Sequence, residues 1–208
     1  MDRIQSGSWA SRLRRFLAVA EEQEHCDFCS KAIGGRHAHL IERATRQFFC
    51  ACPQCALLLG AGERYAAIGA RTDVLCDFDL SDVDWQGFRI PIDLAFVFRS
   101  TPARGPVAIY PSPAGATESQ LSVDSWSRLV GANPVLADLH PDIEALLINR
   151  MNGAREYYLV SIDRCYALVG LIRKQWRGLS GGAEVWQAVR DYFQELRDGV
   201  DIGDAIHG

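Results

Sequence analysis

Apolar residues recur along this chain with two different periods, and the switches between them divide it into segments. Trp9, Leu13, Phe16, Leu17 and Ala20 fall at helical spacing within residues 8–22, behind Ser8 as a cap. This predicts an amphipathic N-terminal helix in residues 1–23, apolar face inward and Arg12, Arg14 and Arg15 solvated. HAHLIERATRQFFC predicts a short β-hairpin turning through Arg43, Ala44 and Thr45, closed by the Gly60–Gly62 stretch. Beyond it, short strands and helices alternate. Tyr65–Ile68 and Val74–Phe78 are expected as strands, and Ser81–Phe88 as a short helix capped by Ser81. Leu94–Ser100 and Val107–Pro111 are expected to pair antiparallel around a Pro102–Gly105 turn, and Ser122–Asn133 to form a helix that Pro134 stops. Ala145–Arg150 and Tyr157–Ile162 flank Asn152-Gly153, a dipeptide that takes the positive φ angles of a tight hairpin turn. Asp163 is placed to cap a helix carrying Cys165, Leu168, Val169 and Ile172. After the Gly178–Gly182 break, Val185, Trp186, Val189, Phe193 and Leu196 line one stripe of a last helix, Ala183–Arg197.

Hairpins with interspersed helices predict an α+β fold in which helices cover one face of an antiparallel sheet. The chain divides into the N-terminal helix (1–23), a cysteine module (24–62), an α+β body (63–200) and a tail (201–208). With 48% hydrophobic residues in 208, there is enough apolar surface to bury a substantial core.

Five of the seven cysteines lie between Cys26 and Cys55. Clustered, odd in number and grouped in Cys-x-x-Cys pairs, they point to metal rather than disulfides. Cys26-Asp27-Phe28-Cys29 and Cys52-Pro53-Gln54-Cys55 each wrap two thiolates around one tight turn. Two such turns face to face supply a closed tetrahedral four-thiolate shell, predicting a metal site at Cys26, Cys29, Cys52 and Cys55. Zinc is the expected ion. A single iron ion suits the same sulfurs, and an iron–sulfur cluster or redox thiols remain open. Cys50 is read as a spare thiol, with substitution for Cys52 or a place in a second centre as alternatives. His37 and His39 sit two residues apart on one side of a strand, and His25 is close by. Each is read as an ordinary surface or strand histidine, with a role as extra or substitute ligand left open for His37 and His39. Isolated in apolar stretches, Cys76 and Cys165 are expected in the core.

Other chemistry is thin. A net charge of −4 argues against a polyanion partner. No apolar run approaches the roughly 18 residues that cross a membrane, and no export signal is visible, so a cytoplasmic protein is expected. There is no phosphate loop, nucleophile elbow or His-Glu-x-x-His helix, and no catalytic residue is assigned. Ser180-Gly181-Gly182 with Arg173 and Arg177 is read as a helix start, with anion binding as the alternative. Tyr110–Ser119 (YPSPAGATES) reads as a stiff irregular loop offering a binding surface.

The string CDFC, CACPQC, IPIDLAFVFRS, YPSPAGATES, ANPVLADLHPDIEALLINR and SIDRCYALVGLIRKQWRGLSGGAEVW resembles a bacterial domain-of-unknown-function family encoded beside nickel–iron hydrogenase genes. The resemblance implies a non-catalytic accessory role, with a hydrogenase subunit or maturation protein as partner. The cysteine pairs are similar to those of rubredoxins and zinc ribbons, which implies iron-based electron transfer as the alternative function. In those knuckles a glycine often follows the second cysteine and lets backbone amides turn toward sulfur; here Ser30 and Ala56 stand at those places.

Overall fold

The computed structural model of the chain describes residues 24–119, 121–177 and 181–199. The helix expected in residues 1–23, Ser180 and the tail 201–208 lie outside them. Among the described residues, no helix is long and apolar enough to cross a membrane.

The cysteine module is built on the expected hairpin. Strands β1 (Ala38–Glu42) and β2 (Phe48–Ala51) pair antiparallel with His39 opposite Cys50, and β3 (Tyr65–Ile68) adds to the other edge of β1. Between β2 and β3 runs the short helix α1 (Pro53–Leu59). Pro53 stands at its first turn, where a missing amide costs nothing, and it buries no residue, leaving Leu57 and Leu58 exposed.

A larger sheet forms the body, from β4 (Thr72–Val74), β5 (Leu94–Ser100), β6 (Gly105–Ser112), β7 (Gly115–Ser119), β8 (Glu144–Asn149) and β9 (Glu156–Ser161). Its order is β4-β9-β8-β5-β6-β7, every neighbour antiparallel. Among the described residues four α-helices accompany it: α2 (Asp82–Gly87), α3 (Val123–Ala132), α4 (Ile162–Gln175) and α5 (Gly182–Asp198). Ser81 and Ser122 cap α2 and α3 by accepting the amides of Asp84 and Ser125.

The expectation of one covered face is corrected: both faces of the sheet are buried. Successive residues of a strand point to opposite faces, and β5, β8 and β9 are buried at nearly every position, so each alternate set needs its own cover. Phe96, Phe98, Leu147, Tyr158 and Val160 pack with α4 and α5. Ala95, Val97, Leu146, Ile148 and Leu159 pack with Trp85 and Phe88 at α2, Trp126 and Leu129 of α3, and Leu136 and Leu139 beyond it.

Three further expectations change. The strand placed at Val74–Phe78 is instead β4, which ends at Val74; the chain then turns, so Leu75 and Phe78 still pack on the core while Cys76 is exposed rather than buried. Tyr110–Ser119 is not an irregular loop but the tip of the β6–β7 hairpin. Gly115 supplies the left-handed turn at φ 112°, and Ser112 donates to its carbonyl at 3.0 Å. Pro111 is tolerated because it lies past Phe96↔Ile109, the last pair that ties β6 to β5. Finally, β9 runs directly into α4, so Ser161 rather than Asp163 occupies the cap position.

Module and body share one apolar cluster, in which Ile41 and Ala66 join the α4 side of the large sheet. The Phe48 ring meets Tyr166 edge to face at 5.1 Å, and Arg43 donates to Asp142 at 2.5 Å. The Asp142 side chain is 4% exposed and also accepts the Thr101 amide at 2.8 Å. Asp142→Ala would strip the half-buried Arg43 guanidinium and the Thr101 amide of a buried charged acceptor. We expect a loss of about 2–3 kcal/mol in urea denaturation, with Asp142→Asn losing less.

Candidate metal centre

Both knuckles are set by local backbone geometry. In the first, the Ser30 amide donates to the Cys26 carbonyl at 2.8 Å, and the Cys26 amide to the Lys31 carbonyl at 2.8 Å. Ser30 itself takes the left-handed conformation at φ 58°, the one a glycine would adopt there. The second knuckle uses a helix start: Cys52 is the residue before α1, and Pro53 leads the chain round to Cys55. The missing glycines therefore do not prevent the knuckle fold.

The two turns bring Cys26, Cys29, Cys52 and Cys55 together, their sulfurs all within 4.8 Å of one another. Cys29 Sγ and Cys52 Sγ are 3.7 Å apart. A regular tetrahedron of sulfurs with 2.3 Å bonds to zinc has edges of about 3.8 Å, whereas a disulfide needs about 2.05 Å. All the cysteines among the described residues are free thiols. The donor set thus fits a metal ion, with Cys26 and Cys52 buried, Cys55 half-buried and Cys29 exposed.

Charge completes this picture. Burial pushes the Cys26 thiol up, but the amides of Cys52, Phe28 and Cys29 and the Cys29 thiol outweigh it and bring it down to about 6. The Cys55 amide leads in holding Cys52 below the ordinary thiol value, against the effect of burial. Cys55 is pushed up to about 12, by burial first and then by the surrounding sulfurs of Cys52, Cys29 and Cys26. Four ionised thiolates in one small volume repel one another, and a cation at their centre relieves the repulsion that otherwise keeps the proton on Cys55. A closed four-thiolate shell leaves no position for a substrate, so an ion held there braces the fold.

Cys50 stands apart from these four. It lies on β2 across from His39, and one ring nitrogen each of His37 and His39 lies within 4.8 Å of its sulfur and of each other. Burial first, then the Asp27 and Glu24 carboxylates and Cys26, push the Cys50 thiol up to about 11. His25 is exposed on the bridge to Ala32, and Cys165 is buried in the core. Arg177 faces Glu184 at 3.8 Å on the surface.

One contributor escaped the sequence reading. Asp27 accepts the Cys50 amide at 2.6 Å and donates its own amide to the Cys50 carbonyl at 2.9 Å, which fastens the first knuckle to β2. An acid inside Cys-x-x-Cys was the available signal, because a carboxylate beside a would-be thiolate cluster is unfavourable unless it holds something else.

No curated protein and no solved structure matches the chain. One family does, across residues 25–200, which takes in both cysteine pairs and every described strand and helix. The chain belongs to DUF5947, a family of unknown function.

Proposed function

We propose that the chain is a non-catalytic, cytoplasmic accessory protein in which zinc, held by Cys26, Cys29, Cys52 and Cys55, fixes the module on the body. The observation that carries this reading is the mutual approach of four sulfurs from two separate turns to within 4.8 Å. Zinc has no redox chemistry and favours a closed tetrahedral thiolate shell, which suits a bracing role. The partner we assign is a nickel–iron hydrogenase subunit or maturation protein; this part rests on the resemblance of the sequence segments. Exposed Leu57 and Leu58, side by side on α1, offer apolar contact area beside the centre.

The exposure of Cys29 favours one second reading, a rubredoxin-like iron centre, because electron transfer is served by a ligand sulfur near solvent. Protein purified without added metal distinguishes the two. One zinc per four-thiolate centre and a colourless solution support the accessory reading, whereas iron with visible thiolate absorption supports electron transfer. Failure to co-purify with any hydrogenase component from cells that express both would remove the assigned partner.

A further inference from the structure

We propose that His37, His39 and Cys50 form a second metal site, of the zinc type, beside the four-thiolate centre and with one coordination position left open.

Strand geometry brings these groups together. His39 and Cys50 are directly paired across β1 and β2, so their side chains leave the sheet on the same face. His37 precedes β1 by one residue and lies two before His39, which returns it to that face; the two rings meet edge to face at 4.8 Å. The His37 side chain is 2% exposed and that of His39 12%, values low for a polar pair. Solvent reaches neither Nε2 atom.

The partners of the rings have the character of a metal site's outer shell. Nδ1 of His37 lies 2.9 Å from the Gly34 carbonyl and 3.1 Å from a Glu24 carboxylate oxygen. Nδ1 of His39 lies 3.3 Å from a carboxylate oxygen of Asp163. Carbonyl and carboxylate oxygens only accept, so they hold the proton on Nδ1 and leave the lone pair on Nε2. Histidines that bind metals are oriented and made more basic in this way, by a carboxylate or carbonyl on the other ring nitrogen. Asp163 belongs to the first turn of α4, so the body itself orients a ligand of the module. That acid does not cap its helix, and this arrangement gives it a role.

Two imidazoles and one thiolate suit zinc or another borderline divalent ion, and three protein ligands leave a fourth position for water or a small anionic ligand. The site differs in kind from the closed centre beside it. Asp27 links them, since it belongs to the first knuckle and grips both backbone groups of Cys50.

Cobalt(II) distinguishes the sites, because thiolate-to-cobalt absorption grows with the number of sulfurs. The full chain, stripped of metal and titrated with Co2+ alone, is expected to take two ions. One brings the intense bands of four thiolates and the other the weaker bands of one thiolate with two imidazoles. Cys50→Ser and His39→Gln are each expected to halve the stoichiometry and leave the four-thiolate bands in place. His37→Gln, outside the β1 ladder, gives the same readout should either variant fail to fold by circular dichroism. One ion per wild-type chain, or two retained in the folded variants, would overturn the second site. Absence of the four-thiolate bands with the weaker set present would count instead against the first centre, so the two failures are distinguishable.

Discussion

Cys29→Ser is expected to lower metal affinity by more than about a hundredfold, since even partners behind the ligands contribute 10- to 100-fold at such sites. The substituted residue is exposed, so the change opens no cavity in the core and the loss reports coordination itself. Its structural effect should be local. The knuckles and α1 bury little apart from Cys26 and Cys52, and with no ion the three remaining sulfurs no longer tie the two turns together. Protease cleavage and amide exchange should therefore rise within residues 24–62. Leu40, Ile41 and Ala66 remain anchored in apolar contacts, and the large sheet keeps its own core. Unchanged metal content together with unchanged protease resistance would show that these sulfurs are not the ligands.

The largest loss of global stability is expected from Phe96→Ala. Phe96 is 1% exposed on β5, opposite Leu147 of β8 and Ile109 of β6, and its ring lies 6.3 Å from Phe98 and 5.4 Å from Tyr166. Truncation removes apolar contact on all sides in a part of the sheet that cannot collapse inward, because its backbone is paired on both edges. A loss of about 3–5 kcal/mol follows from buried aromatic deletions of this kind. At this chain length it corresponds to a fall in Tm of roughly 6–20 °C. Leu57→Ala, on the exposed face of α1, serves as the contrast and should stay within about 0.5 kcal/mol of the parent. A comparable loss in both variants would mean that the core does not lie where the sheet places it.

Much of this architecture was legible in the sequence because its signals are local. The β1–β2, β5–β6 and β8–β9 hairpins, the serine caps at Ser81 and Ser122 and the grouping of the four sulfurs each depend on residues close in the chain or on two short turns. The β6–β7 hairpin was hidden because Pro111 and Pro113 imitate a loop, and only the position of Pro111 beyond its β5 partners makes it acceptable in a strand. Cys76 looked apolar by context, yet the early end of β4 turns it to solvent. Asp163 looked like a cap, yet the absence of any loop after β9 carries it into the helix, where it faces His39.

Spacing alone therefore determined the hairpins, the helix faces and the two cysteine knuckles, since backbone dihedrals and side-chain periodicity act over a few residues. Tertiary structure decided the strand order, the burial of both sheet faces and the meeting of His37, His39 and Cys50 in front of Asp163. The reason is distance along the chain: His39 and Asp163 are 124 residues apart, and no local rule relates two side chains that only the packing of α4 on the module brings within reach.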